Sequence, residues 1–183
     1  VNNMVKLDRI EKSVTIPEGV TASLSEDGVV TITGTKGTLS RQFQSPVVDL
    51  LQDGSGLLVR VDMPRRKQAA LAGTWEAHLN NMVKGVTEGF TYKLKAFYSH
   101  FPMTLAQKGN QFVVNNYFGE RVPRTAVILD GVTVKIDKKV EVTVTGIDKE
   151  NVGQTAANIE RCTTVKNRDR RVFQDGIYLL TKE

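Results

Sequence analysis

The sequence predicts an α+β protein made of two tandem duplicated domains, each an antiparallel β-sheet packed against one α-helix. Two observations predict this fold. In each half of the chain, short alternating or β-branched runs separated by turn signals precede one helical pattern. The order and spacing of these patterns then repeat at a nearly constant offset. We place the first domain at residues 1–85 and the second at residues 86–183.

In the first half, we predict five or six strands followed by a helix. Alternation and turns such as Glu26-Asp27-Gly28 predict strands over residues 14–17, 20–24, 29–34, 39–43, 47–51 and 57–61. Pro64 is favoured at a helix start, and an apolar helical face follows it at Leu71, Trp75, Leu79 and Met82.

Two glycines mark this helix. Gly73 lies inside it at a cost of about 1 kcal/mol relative to alanine, so we expect a close approach of helix to sheet there. Gly85 is placed to end the helix, because glycine adopts the left-handed conformation cheaply. The strand beyond it alternates, with one face made of Tyr92, Leu94, Ala96 and Tyr98.

The second half repeats the first. Val30, Ile32 and Gly37 correspond to Phe112, Val114 and Gly119 at an offset of 82. Strands are predicted over residues 132–136 and 140–145, and Asp148 has the chemistry of a helix N-cap. In the second helix, an offset of 80 matches Gly153, Ile159 and Cys162 to Gly73, Leu79 and Met82. We interpret this agreement as a duplication.

The charge is unevenly distributed. The net charge is +5, yet residues 1–90 hold 10 basic and 10 acidic side chains, whereas residues 91–183 hold 15 and 10. A basic half beside a neutral half indicates one surface that contacts a polyanion. Chance scatter of charge is the alternative.

The sequence offers no pattern for catalysis, a metal or a cofactor. It lacks phosphate-binding glycine loops, nucleophile elbows and paired Cys or His ligands. Cys162 falls at a core position, His78 at the helix margin, and a Cys162–His100 pair would have no orienting partner. We therefore expect a non-enzyme without cofactors. With no apolar run of about 20 residues and no secretory leader, we also expect a cytoplasmic protein without a membrane partner.

The strongest functional candidate is the segment from 166 to 178. Over its first six residues, Lys166, Arg168, Arg170 and Arg171 are opposed by a single Asp169, and guanidinium groups bind phosphate oxygens well. Its aromatic residues could stack on unpaired bases. Alternatively, the aromatic residues anchor the segment to the core, and the charges form a solvated surface.

Two motifs resemble the large-subunit ribosomal protein six (L-six) family. The first is Leu-Asn-Asn-Met-Val-Lys-Gly-Val-Thr-Glu-Gly-Phe at residues 79–90, whose continuation at 98–102 resembles the archaeal and eukaryotic branch. The second, Arg171-x-Phe173-x-Asp175-Gly176-Ile177-Tyr178, resembles the C-terminal signature of the same branch. The bacterial branch instead ends in a Tyr-Lys-Gly-Lys-Gly type of segment.

This resemblance implies a structural protein of the large ribosomal subunit. It further implies binding to large-subunit ribosomal RNA (rRNA), mainly through the second domain, near the sarcin–ricin region where translation factors dock. Neighbouring ribosomal proteins and translation factors are the other implied partners. From the residues alone, a free-standing module that binds a protein or an anionic ligand outside the ribosome remains the alternative.

The candidate RNA-binding residues lie in four places: the joint between the domains, the loop at 115–124, the second helix and the C-terminal segment. The loop could equally be an ordinary hairpin turn, the joint aromatics could be partly buried, and the helix residues could face water. The full set is Tyr98, His100, Arg121, Arg124, Gln154, Arg161, Lys166, Asn167, Arg168, Arg170, Arg171, Phe173, Tyr178 and Lys182.

Overall fold

The structure, a computed structural model, describes residues 9–53 and 56–182. The chain divides into two compact units, unit 1 (Val1–Glu88) and unit 2 (Gly89–Glu183). Each unit contains antiparallel strands and one α-helix, so the predicted α+β fold with two tandem copies is confirmed.

Unit 1 contains six strands and a helix in the predicted order. The strands form two three-stranded sheets, ordered β2-β3-β4 and β1-β6-β5, where a single sheet was expected. The elements are β1 (Arg9–Thr15), β2 (Thr21–Leu24), β3 (Val29–Gly34), β4 (Gly37–Gln42), β5 (Asp49–Asp53), β6 (Gly56–Asp62) and α1 (Arg66–Thr87).

The core of unit 1 forms where α1 covers the inward faces of the strands. In β6 the side chains of Leu57, Val59 and Val61 are buried, while the residues between them are partly exposed, as the two-residue period of a strand requires. From α1, Trp75 packs edge-on against Phe43, with ring centroids 5.4 Å apart. Each fully buried apolar side chain contributes roughly 1.5–3 kcal/mol.

The structure corrects two expectations about the face of α1. Leu71 is 37% exposed, and its neighbour Ala72 is buried in its place. A Cβ built on Gly73 would meet no atom within 4 Å, so the expected close approach at this glycine is wrong. The close approach lies at Gly34 in β3, where a Cβ would stand 2.7 Å from Val86 Cγ2.

The end of α1 is also later than expected. Gly85 is buried inside the helix, which continues to Thr87, so the domain boundary drawn after residue 85 falls within α1. Gly89, with φ of +74°, takes the left-handed conformation that follows a helix end. Gly85 was wrongly chosen because the sequence shows two glycines but not which one leaves the helical conformation.

Unit 2 repeats this order and adds a strand. Its sheets are ordered β8-β9-β10 and β11-β12-β7-β13. The elements are β7 (Phe90–Phe97), β8 (Thr104–Lys108), β9 (Gln111–Asn115), a short 3-10 turn (Tyr117–Gly119), β10 (Arg124–Val127), β11 (Val132–Asp137), β12 (Glu141–Gly146), α2 (Lys149–Cys162) and β13 (Gly176–Lys182).

The two copies correspond strand by strand. β7, β12 and β11 are arranged as β1, β6 and β5 are, and β13 pairs antiparallel with the remaining edge of β7. Asp148 caps α2 as predicted, since its carboxylate accepts a hydrogen bond from the Glu150 N–H at 2.9 Å. The alternation along β7 is confirmed within the strand, whereas Tyr98 lies beyond its end and is exposed.

Candidate nucleic-acid interface

The candidate interface is centred on the segment between α2 and β13, residues 163–175, which we name the cationic loop. Lys166, Arg168, Arg170 and Arg171 all lie exposed in it, and the loop forms no helix or strand. Like charges at this density repel one another. Contacts elsewhere must therefore hold the loop in place.

Tyr117 joins the two ends of the cationic loop. Its side chain is buried, and its hydroxyl can donate to the carbonyl oxygens of Thr163 and Asp175, at 2.5 and 3.1 Å. The Ile177 N–H donates to Thr163 Oγ1 at 3.0 Å, which also joins the start of the loop to the residues after its end. Burial raises the pKa of Tyr117 to about 12, so the hydroxyl retains its proton at neutral pH.

Arg124 fastens the start of the loop to the 115–124 segment. Its guanidinium makes two hydrogen bonds to the Glu120 carboxylate, at 2.6 and 2.8 Å, and donates to the Cys162 and Thr164 carbonyls at 3.1 and 2.8 Å. It also lies over the Tyr117 ring, 4.3 Å from the centroid.

The Arg124–Glu120 hydrogen bonds lower the pKa of Glu120 and raise that of Arg124. With its donors engaged inside the protein, Arg124 positions the loop rather than offering an unpaired cation.

Arg168 lies beside a pair of aromatic rings. Its guanidinium carbon lies 4.9 Å from the Phe173 centroid and 5.1 Å from that of Phe118. The two rings pack edge to face at 5.7 Å, and Phe173 packs against the buried core of unit 2. Phe173 therefore anchors the loop, which was one of the two roles open from the sequence. Cation–π contact fixes the plane of the Arg168 guanidinium.

Asp169 shapes the tip of the loop and neutralises one of its cations. Its carboxylate accepts hydrogen bonds from Arg171 Nε and Nη2 at 3.1 and 2.9 Å, which lower the pKa of Asp169 and raise that of Arg171. Lys166 and Arg170 carry no ion pair to any residue in the described ranges. The loop thus carries more positive charge than its two carboxylates, Asp169 and the buried Asp175, can offset.

A second set of side chains lies where β7 ends. Asp175 is buried, and its Oδ1 accepts hydrogen bonds from the Ser99 N–H and hydroxyl, at 3.3 and 3.1 Å. This contact holds the exposed residues Tyr98 and His100 beside the end of the cationic loop. Asp175 Oδ2 has no hydrogen-bond partner in the part of the chain that the structure describes.

Tyr178 extends this aromatic surface along β13. Its ring is tilted against that of Phe97, with centroids 6.1 Å apart, and its hydroxyl donates to the Gln174 carbonyl at 2.9 Å. Phe97, Tyr98 and Tyr178 line one shallow cleft, and each is more than two-fifths exposed. Exposed rings of this kind are suited to stacking on bases.

The remaining candidates are more scattered. Arg121 is exposed beside the Arg124 anchor, Arg161 is exposed in the last turn of α2, and Asn167 takes a left-handed conformation, with φ of 58°. Gln154 lies two helical turns before Arg161 and donates to Asn158 at 2.9 Å. Lys182 lies over the ring of Tyr92 at 6.0 Å. It is four residues beyond Tyr178, which separates it from Tyr178 by about 13 Å along the strand.

Several residues that position the interface were not identified from the sequence. Five of them are far in the sequence from their partners: Ser99, Tyr117, Phe118, Thr163 and Asp175. The sixth, Glu120, lies four residues from Arg124. The one available signal was two adjacent aromatic residues, Tyr117 and Phe118, within an otherwise polar loop.

Other kinds of site find little support. Burial raises the pKa of the Cys162 thiol to about 11, so it remains a protonated, weak nucleophile at neutral pH. Residues 9–53 and 56–182 contain no group of side chains arranged to hold a metal ion. Among the helices of the same residues, none is long and apolar enough to cross a membrane.

Comparison with known proteins gives the same answer for both copies. The family model described as Ribosomal protein L6 matches residues 16–89 and again residues 102–176, one match in each unit. The chain is 45% identical over 180 residues to Large ribosomal subunit protein uL6 of Methanobrevibacter smithii, covering 98% of this chain and 100% of that protein.

It is also 44% identical over 173 residues to the protein of the same name from Methanococcus vannielii, covering 94% of each. The resemblance drawn from the two motifs is thereby confirmed. The chain belongs to the ribosomal protein L6 family, whose members are structural constituents of the large ribosomal subunit.

Proposed function

We propose that unit 2 attaches this protein to large-subunit rRNA, and that the cationic loop is the main point of attachment. One observation carries the proposal. Tyr117 and Arg124 are hydrogen-bonded to the ends of the loop, while Lys166, Arg168 and Arg170 are exposed to solvent. Cations that are held in place and not neutralised within the protein are suited to binding a polyanion. The role is structural and non-catalytic.

The loop would bind phosphates without first having to become ordered. Neutralisation of phosphates by lysine and arginine releases condensed counterions, and this supplies most of the affinity for a nucleic acid. Because folded RNA is recognised largely by its shape and backbone, the fixed spacing of the cations is the relevant specificity element. Two aromatic rings support the Arg168 guanidinium among these cations.

The aromatic cleft would add contacts to unpaired nucleotides. Tyr98 and Tyr178 have exposed rings and stand beside His100, so an unstacked base could rest there at roughly 1–3 kcal/mol per stacked base. Arg121, Arg161 and Asn167 would extend the surface next to the loop. Gln154 and Lys182 would contact more distant nucleotides.

A location within the large subunit is suggested by the family resemblance and not by the geometry. The resemblance supports attachment near the sarcin–ricin region, beside neighbouring ribosomal proteins and within reach of translation factors. Unit 1, with equal numbers of basic and acidic residues, would then be available for proteins rather than RNA.

Salt-dependent RNA binding tests the proposal. Replacing Lys166, Arg168, Arg170 and Arg171 with alanine should weaken binding to purified large-subunit rRNA and reduce the slope of log K against log salt by about 0.7–0.9 for each phosphate that is no longer neutralised. The matched control removes four lysines from other turns and strands of unit 2: Lys108, Lys135, Lys138 and Lys139. Equal slopes for the two variants would refute the assignment of the loop.

A further inference from the structure

Unit 1 contains a groove of its own. Its walls are the β2–β3 turn (residues 25–28), the segment after β4 (residues 42–45) and the start of β5 with the residue before it (residues 48–51). β2 and β5 are outer strands of their two sheets. Gln52 Nε2 donates to the Ala22 carbonyl at 3.4 Å, so one side-chain hydrogen bond links the two strands near the end of β5, beyond the residues that line the groove.

The walls of the groove are fixed within unit 1. The Phe43 N–H donates to the Gly28 carbonyl at 2.8 Å, and the Gly28 N–H donates to the Ser25 carbonyl at 3.0 Å. The Phe43 ring packs on Trp75, and Val48 is buried. A groove that exists before its occupant arrives needs less ordering on binding.

One wall of the groove is an unpaired strand edge. β5 pairs with β6 on one side only, so its other edge leaves backbone donors and acceptors open. Leu51 is 44% exposed, and no lysine or proline protects the described part of this strand, Asp49–Asp53. Such an edge can accept an extended segment of another chain as an additional strand.

The charge of the groove selects the kind of occupant. Glu26, Asp27 and Asp49 line it, and no lysine or arginine does. None of these three carboxylates has an ion pair with a residue in the described parts of the chain. RNA would be repelled here, whereas lysine and arginine side chains would be attracted.

The corresponding surface of unit 2 differs in charge and in the connection beside it. Its β8–β9 turn carries Lys108, Gly109 and Asn110 in place of the two carboxylates. Its β10–β11 connection covers four residues where the β4–β5 connection covers six, and the Leu129 N–H donates to Thr155 Oγ1 in α2 at 3.2 Å. The acidic groove is therefore a property of one copy and not of the duplicated fold.

We propose that this groove binds an extended, lysine- or arginine-rich segment of a neighbouring protein. The segment pairs its backbone with the open edge of β5 and places its cations against Glu26, Asp27 and Asp49. The function proposed above uses the cationic loop of unit 2, so this protein contact stands or falls separately from it. That the neighbour is a protein of the large subunit rests on the family.

A defined peptide tests the groove on the full-length protein. The probe is a seven-residue peptide of alternating lysine and valine, with binding measured by calorimetry and located by amide chemical shifts. We expect shifts in residues 25–28 and 49–51. An alternating glutamate–valine peptide, and a lysine–valine peptide N-methylated on alternate residues, should not bind there.

Matched variants separate the groove from general charge attraction. Changing Glu26→Gln, Asp27→Asn and Asp49→Asn should lower the affinity for the lysine–valine peptide about tenfold, as expected for the loss of three surface ion pairs. Changing Glu18→Gln, Asp130→Asn and Asp137→Asn alters the net charge equally and should leave the affinity unchanged. Both variants should unfold at the parent temperature. Equal weakening by both, or undiminished binding of the N-methylated peptide, would overturn the proposal.

Crosslinking in the assembled subunit identifies the real occupant. A photoreactive amino acid in place of the exposed Leu51 should crosslink to a lysine- or arginine-rich segment of another ribosomal protein. Crosslinks to rRNA alone would show that RNA fills the groove and would overturn the proposal. Either result leaves the salt-dependence test of the cationic loop unaffected.

Discussion

The two copies of the fold differ in the groups that bind the carbonyls at the end of the helix. In unit 1, a two-residue turn between β3 and β4 meets α1, with the Lys36 N–H donating to the Val86 carbonyl at 3.0 Å. In unit 2, the corresponding connection is the 115–124 segment, and it meets the end of α2 through the side chains of Tyr117 and Arg124. Both arrangements supply partners for the carbonyls that every helix end leaves unpaired.

The difference shows where a duplicated fold can specialise. The turn in unit 1 leaves no room at the helix end, since Gly34 already touches Val86. The longer segment in unit 2 reaches past the helix end and holds the cationic loop and β13. The longer connection of unit 2 thus supports a charged surface as well as the helix end, while the sheets and the helix have the same order in both units.

The largest expected effect compares the two cores. Leu79 and Ile159 occupy matching positions in α1 and α2, and both are fully buried. Changing either to alanine should reduce the stability of its own unit by about 2–5 kcal/mol, measured by native-state hydrogen exchange. Only Ile159→Ala should also reduce rRNA affinity, because only unit 2 carries the cationic loop. Equal loss of affinity from Leu79→Ala would contradict that division.

The second comparison concerns the tight turn of unit 1. Gly34→Ala should destabilise unit 1 by about 1–3 kcal/mol, because its Cβ would stand 2.8 Å from the Val86 carbonyl oxygen. Gly73→Ala serves as its control, since a Cβ there meets open space, and it should stabilise α1 by up to about 1 kcal/mol. Chemical denaturation of both variants checks the signs. A neutral Gly34→Ala would show that the turn is not tightly packed.

The third change removes the side-chain anchor of unit 2. Arg124→Ala should cost about 1–2 kcal/mol and weaken rRNA binding, because the Thr164 and Cys162 carbonyls lose their donor. Arg124→Lys should not restore either property, since an ammonium cannot bind Glu120 bidentately while reaching both carbonyls. Arg121→Ala, an exposed neighbour, should leave stability unchanged. If Arg124→Lys restored stability and rRNA binding, Arg124 would act only through its positive charge.

The smallest effect depends on pH and affects unit 2. Unfolded tyrosine ionises near pH 10, whereas burial keeps Tyr117 protonated until about pH 12. The folded state therefore holds the proton more tightly, so this stabilisation is complete below pH 10 and is lost as the pH rises towards 12. The measurement uses a Cys162→Ala background, because the pKa of that thiol is also raised by burial, to about 11. In this background, the free energy of unfolding of Tyr117→Phe should fall less steeply with pH than that of the protein with Tyr117. Parallel curves would contradict the burial of the hydroxyl.

The sequence by itself determined the features that depend on local pattern. Alternation located β2, β3, β4, β6, β7, β11 and β12, and Asp148 began α2, because each signal depends on residues a few positions apart. The common offsets revealed the duplication. The first strand was misplaced at 14–17, since β1 runs from Arg9 to Thr15, and β13 was not predicted. The same local signals placed four cations together at 166–171. They failed at Gly85, since a single glycine can sit inside a helix when packing around it supports the helical conformation.

Only the tertiary structure decided which polar side chains have partners inside the protein. Arg124 and Arg168 look alike in the sequence. Arg124 donates to carbonyls 38 and 40 residues away, whereas Arg168 contacts the rings of Phe118 and Phe173. Likewise, the acidic groove joins a turn at residue 26 to a strand at residue 49. A sequence records each residue's chemistry and near neighbours, but contacts between distant segments arise only when the sheets pack.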